Sequence, residues 1–138
     1  PTTKEGLKAI RILAAAGIHV TATAIYTQMQ AFLAAKSGAQ YVAPYINRID
    51  NLGSDGVRTA KEIHDMFRNY GFKTEVLAAS FKNSRQVITL CEYGIGATTI
   101  SPDVLDLLIK NDSVTAALNV FRRDFEKVCG KGKTMLDC

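Results

Sequence analysis

Tryptophan is absent from this chain of 138 residues, and proline and histidine are scarce, at three and two. No apolar run approaches the ~18 residues that a membrane helix needs, and no leader peptide opens the sequence. A cytoplasmic protein without a membrane partner is therefore expected. Cys91, Cys129 and Cys138 fall in no CxxC or CxH spacing, and an odd count of three argues against a disulfide framework. Reduced, mostly structural thiols are expected. No metal-ligand spacing, glycine-rich phosphate loop or GxSxG turn occurs, so the usual signatures of metal sites, nucleotide binders and serine hydrolases are missing. His19 stands at a strand entrance and His64 on a helix flank, and each reads as structural.

Nor is there a strong charge of one sign. The net charge of +4 and pI near 9.1 are mildly basic. The basic residues are spread along the chain, with the tightest groups at Arg122-Arg123 and Lys131/Lys133. No aromatic-interleaved basic stripe accompanies them, which argues against nucleic acid. A phosphorylated small molecule and a solvated surface account for the charge equally well.

What is present is an ordinary globular balance, 47% hydrophobic and 22% charged. The chain is long enough for one domain or part of one. Thr2 and Glu5 have capping-box spacing before a helix with Leu7, Ile10, Leu13 and Ala14 on one side, stopped at Gly17. A β-rich run from Ile18 to Thr23 follows, then a helix whose expected apolar face is Ile25, Met29, Phe32 and Leu33. Gln40–Ala43 reads as a strand stopped by Pro44, which lacks an N–H. The loop behind it, through Asn51, Leu52 and Gly53, presents Tyr45, Asn47 and Arg48.

Ser54 is placed to cap a third helix with Val57, Ala60, Ile63 and Phe67 inward. Val76–Ser80 is nearly all apolar, as in a strand buried on both faces. Ser84 caps a helix through Val87, Ile88 and Cys91, and Ala97–Ile100 is a fourth strand. Ser101-Pro102 starts a helix carrying Leu105, Leu108 and Ile109. The last helix, from Asp112 or Ser113, has Val114, Ala117, Leu118, Phe121, Phe125 and Val128 on one stripe. That stripe suits a helix covering a barrel end or, as taken here, one packed on a neighbouring subunit.

The repeating unit of strand, polar loop and helix implies parallel strands with crossover helices. Four such strands make a small open sheet or half of a (β/α)8 barrel. That barrel takes about 250 residues and rarely fewer than about 200, so this chain cannot close one. The expected fold is α/β, the last four strands and following helices of a (β/α)8 barrel. Residues 1–112 are assigned to the barrel half, 113–130 to the C-terminal helix and 131–138 to a loose tail. The chain is expected to be the C-terminal part of something longer.

At the C-terminal ends of the strands this arrangement collects Thr23, then Tyr45 with Asn47 and Arg48, then Ser80 with Lys82, then Ser101. Two cations and two hydroxyls near a helix N-terminus suit a phosphate, and Tyr45 with Thr23 suits a water held for proton transfer. The plainer alternative is a tyrosine packed at a barrel mouth with Arg48 paired to Asp50. Lys82 has a second reading, as a Schiff-base nucleophile, if desolvation lowers its pKa.

The segments PTTKEGLKAI, GIHVTATAIYTQMQAFLAAKSGAQYVAPYINRID, LAASFKNSRQV and ISPDVLDLL resemble the fructose 6-phosphate aldolases of the small transaldolase-like family. The likeness runs over essentially the whole chain, and YVAPYINRID and LAASFK are its specific parts. It implies a class I aldolase of carbohydrate metabolism on a (β/α)8 barrel, needing no metal or other cofactor, in which a lysine forms an imine with dihydroxyacetone or the ketose. By resemblance Tyr45 is the acid/base tyrosine acting through a water, and Thr23 helps hold that water. Arg48 and Lys82, with Ser80, resemble the phosphate-binding residues.

The resemblance implies cleavage of fructose 6-phosphate to dihydroxyacetone and glyceraldehyde 3-phosphate. The alternatives are a transaldolase passing dihydroxyacetone to erythrose 4-phosphate, and a non-catalytic half-barrel or flavodoxin-like binding module. Tyrosine at position 45 resembles the aldolase branch, where related transaldolases tend to have phenylalanine. The family's imine lysine lies just upstream of the segment matching Pro1, and the first strands hold further active-site residues. A missing N-terminal barrel half is therefore an expected partner, as is a homo-oligomer, by resemblance a decamer.

Overall fold

The protein, described over residues 1–138 by a computed structural model, opens with helix α1 (Lys4–Ala15). The cap is Thr3, whose hydroxyl accepts from the Gly6 N–H, one residue later than the expected Thr2 box. Strand β1 (Thr21–Ile25) then leads to α2 (Gln28–Lys36), and β2 (Tyr41–Pro44) leads to a short α3 (Ile46–Asn51) and a long α4 (Gly56–Asn69). Strand β3 (Glu75–Ala78) precedes α5 (Ser84–Tyr93), and β4 (Ala97–Thr98) precedes α6 (Pro102–Ile109). All four strands are parallel, in the order β1-β2-β3-β4, so every connection is a crossover through a helix.

The sheet is α/β as expected, and several local readings shift. β1 begins at Thr21, not Ile18, so Thr23 lies within the strand and not at its end. The caps of α4 and α5 are Asp55 and Asn83, which accept from the Arg58 and Gln86 N–H groups, each next to the serine expected there. The buried face of α2 is Ala31, Ala34 and Ala35, whereas Met29 and Leu33 are exposed. Small side chains let that helix lie close on the sheet. Its start is a capping box between Thr27 and Gln30. On α5 the buried residues include Val87 and Leu90, with Ile88 and Cys91 outward, and on α6 Val104 is buried while Leu105 and Ile109 face out.

The core lies between sheet and helices, where Ile25, Val42, Ile46, Ile63, Val76 and Leu90 are fully buried. Each such side chain contributes about 1.5–3 kcal/mol by leaving water. The segment expected to be a loop after Pro44 is the helix α3. Ile46 and Ile49 anchor it by pointing into the core at helical spacing.

Residues Pro1–Leu108 form one compact unit and Ile109–Cys138 another. The second consists of α7 (Asp112–Cys129), capped by Asn111, and a C-terminal turn in which Thr134 donates to Asp137. Here the structure corrects the expected reduced thiols: Cys129 and Cys138 are joined, with Cα atoms 5.3 Å apart, while Cys91 is free and exposed. Gly130 and Gly132, both at positive φ, turn the chain so that residue 138 returns to the end of α7. No helix of the protein is long and apolar enough to cross a membrane.

Candidate functional site

At the C-terminal ends of the strands the ladder continues past the regular sheet. The Tyr45 N–H donates to Ile25 O at 3.1 Å, and the Ala79 N–H to Pro44 O at 3.0 Å. Tyr45 and Ala79 thus form a parallel bridge beyond β2 and β3. The first N–H groups of a helix lack intrahelical acceptors. In α3 those of Ile46 and Asn47 donate instead to the carbonyls of Ala79 and Ser80, both at 2.9 Å. Backbone therefore does the capping, and the Tyr45 side chain makes no cap hydrogen bond although Tyr45 occupies the N-cap position.

The phenol is turned toward β1. Its oxygen lies 2.8 Å from the Thr23 hydroxyl, across 22 residues of sequence, and either atom can donate. The Tyr45 ring is held on two sides. Tyr26 packs edge-on at 5.9 Å between centroids, and the Arg48 guanidinium lies 4.6 Å from the ring centre. An arginine stacked on an aromatic face keeps its fork of donors free for an anion. Arg48 also lines a cleft of about 320 Å³ with Tyr26, Asn51 and Leu52. The alternative pairing of Arg48 with Asp50 is not what the carboxylate does: Asp50 accepts from the Gly56 N–H at 2.7 Å and from the Gln86 amide at 2.6 Å.

Ser80 sits at φ +62°, in the left-handed region, as does Ala24 at +56°. Such a conformation costs about 1–2 kcal/mol in a non-glycine residue and tends to cluster at functional sites. Ser80 reaches the α3 group through its carbonyl. Lys82 is exposed, so the desolvation that a Schiff-base lysine needs is not supplied by this chain. Its charge is felt by Asp103 at the start of α6. The Asp103 carboxyl is held below its ordinary range, first by the hydrogen bond from the Ser101 side chain and further by Lys82.

The structure thus brings Thr23, Tyr45 and Arg48 into direct contact, links Ser80 to them by backbone, and leaves Lys82 and Ser101 around Asp103. Sequence reasoning overlooked Tyr26, Asp103 and Gln86. Tyr26 carried a signal, being an aromatic at the mouth of β1. A glutamine in the first turn of α5 carried none.

Set against known proteins, residues 1–135 match the family model described as Transaldolase/Fructose-6-phosphate aldolase. A protein named "Probable transaldolase" from Hydrogenobaculum sp. is 40% identical over 131 residues, 95% of this chain and 60% of its own length. Proteins of the same name from Nitrosopumilus maritimus and Thermoplasma volcanium are 41% and 42% identical, over 93% and 99% of this chain and 58% and 61% of theirs. The chain therefore spans about three fifths of the length of these relatives. A solved structure of a mandelate oxidase variant matches in backbone arrangement, at TM-score 0.51 and 17% identity over 68% of this chain and 29% of that one. Together with the parallel sheet and the residues at its carboxyl edge, the match over residues 1–135 establishes that this chain belongs to the transaldolase/fructose-6-phosphate aldolase family.

Proposed function

We propose that these residues carry the proton-transfer and phosphate-binding groups of a class I aldolase acting on a sugar phosphate. The observation that carries the proposal is the 2.8 Å contact between the hydroxyl of Thr23, within β1, and that of Tyr45, just past the end of β2, with Arg48 stacked on the Tyr45 ring. Two hydroxyls so placed can hold a water between them and the reacting carbon, and a phenol can pass that water a proton. Arg48 and Lys82 offer cations for the phosphate end of the substrate, and Ser80, on the same loop as Lys82, a hydroxyl.

The first reading is cleavage of fructose 6-phosphate to dihydroxyacetone and glyceraldehyde 3-phosphate. Tyrosine at position 45 favours it, because protonating and releasing dihydroxyacetone needs a proton donor that a phenyl ring lacks. The second reading is transfer of dihydroxyacetone to another sugar phosphate, favoured by the name the relatives carry. A competition between water and erythrose 4-phosphate separates the two.

The reading also requires an imine-forming lysine from outside residues 1–138. Lys4, in the first turn of α1, and Lys82 are both exposed. It further takes the sheet as the last four strands of a (β/α)8 barrel. The all-parallel order of the strands and the span of about three fifths of the relatives' length support this. The test is borohydride reduction in the presence of dihydroxyacetone, followed by intact mass and peptide mapping of the full natural polypeptide. One reduced adduct on a lysine outside this segment is expected. No adduct, with the protein folded, refutes the imine mechanism and leaves a non-catalytic binding module.

A further inference from the structure

Gln86, on the first turn of α5, is only 7% exposed, a buried polar side chain. Its amide joins α3 to the loop after β3. Its Nε2 donates to Asp50 Oδ2 at 2.6 Å and reaches Asn47 Oδ1 at 3.5 Å, so it grips α3 at two points. Its Oε1 accepts from the Lys82 N–H at 2.9 Å. Asp50 is fixed in turn, because its other oxygen accepts from the Gly56 N–H at the start of α4. The chain of contacts runs from α4 through Asp50 and Gln86 to Lys82. Along it stand two cations, Arg48 on α3, two residues before Asp50, and Lys82 itself.

We infer that Gln86 and Asp50 are positioning residues that set the distance between α3, which carries Arg48, and the loop that carries Lys82. The inference rests on the reading of those cations as the phosphate site. Neither residue touches substrate in this scheme. Two flexible cations bind a phosphate well only when their backbones are held at the right separation, since ordering them on binding costs affinity. A carboxylate paired with a neutral amide does this without placing a further cation in competition for the anion. Asp50 and Gln86 line one side of a cleft of about 460 Å³ whose other lining residues include Arg58, Lys61 and Arg85.

The test uses the full natural polypeptide and two aldehydes, glyceraldehyde 3-phosphate and unphosphorylated glyceraldehyde, in the synthetic direction. Gln86→Leu keeps the volume and removes every side-chain hydrogen bond. It should raise KM for the phosphorylated aldehyde about tenfold, as misplaced binding groups do, with kcat and the KM for glyceraldehyde within about twofold. Gln86→Glu, which sets a carboxylate against Asp50, should show the same selective loss. Combining Asp50→Asn with Gln86→Glu reverses the pair. The amide introduced at position 50 then donates to the carboxylate introduced at position 86 while still accepting from Gly56, and the Lys82 N–H keeps its acceptor. This double variant should return to within about twofold of the parent.

Equal losses with both aldehydes in Gln86→Leu overturn the positioning role. So does a double variant no better than Gln86→Glu, including one that fails to fold. Arg48→Ala reports on the underlying reading. If it shows no selective loss of the phosphorylated aldehyde, the phosphate site itself is misassigned. A selective loss in Arg48→Ala with none in Gln86→Leu overturns the positioning role alone. Should neither aldehyde turn over, calorimetric binding of inorganic phosphate to the same variants reads both roles.

Discussion

At the scale of the residue, the chemistry turns on where the Tyr45 phenol points from the N-cap of α3. A short polar side chain at that position would accept from the first N–H groups of the helix, which a rigid phenol does not reach. Here the carbonyls of Ala79 and Ser80 accept from Ile46 and Asn47, and the phenol is turned to Thr23. Tyr45→Phe leaves this backbone capping intact and removes one oxygen. Aldol cleavage should fall about 100-fold or more, within the range for losing a general acid–base group. Transfer of dihydroxyacetone between sugar phosphates should fall less, so the transfer-to-cleavage ratio rises. Single-turnover assays with and without an acceptor aldehyde measure both, and an unchanged ratio removes Tyr45 from the mechanism. Arg48 gains nothing from the lost hydroxyl, since it lies over the ring face, and phosphate affinity should be unaffected.

At the scale of the element, the short helix α3 is what aims Arg48 and Asp50, and its seat against α4 is tight. A Cβ on Gly56 would run into the backbone of Ile46, at the start of α3. The same glycine's N–H anchors Asp50. Gly56→Ala must push the two helices apart, and overpacking of this kind costs about 1–3 kcal/mol. A lower urea midpoint at unchanged slope is expected, together with a raised KM for the phosphorylated aldehyde. Wild-type stability would mean that the contact between α3 and α4 is looser than described. This close approach was invisible in the sequence. The order of strands and helices was legible, because polar caps and glycines punctuate runs of clear period, and Ala60, Ile63 and Phe67 are buried as their spacing requires. The face of α2 was misread because burial there rewards the small Ala31, Ala34 and Ala35 over the larger Met29 and Leu33. The helix α3 was read as a loop because six residues after a proline offer too little period. The contact between Gln86 and Asp50 spans 36 residues and depends on how α3 and α5 are placed against each other, which no local pattern encodes.

At the scale of the whole molecule, two features stand out. The sheet has β1 and β4 at its edges, and the chain spans only about three fifths of its relatives. The other feature is α7, none of whose residues is buried. Val114, Leu118 and Phe121, at helical spacing, are 53%, 58% and 66% exposed. Lone apolar residues on a surface are ordinary, but a stripe of them on one helix is not. The reading of α7 as an intersubunit helix makes a sharp demand on Phe121, since central aromatics carry most of an interface's energy. Phe121→Glu would then bury a carboxylate with no partner, at a cost of several kcal/mol. Sedimentation velocity of the full natural polypeptide should show the parent as a single large species and Phe121→Glu as smaller species with unchanged secondary structure. Leu52→Glu is the matched control, a residue 72% exposed on the other compact unit, and should leave the assembly intact. An assembly that survives Phe121→Glu would assign α7 to a contact within one polypeptide. The exposed stripe would then be covered by the part of the chain that precedes or follows these residues, and not by a second copy.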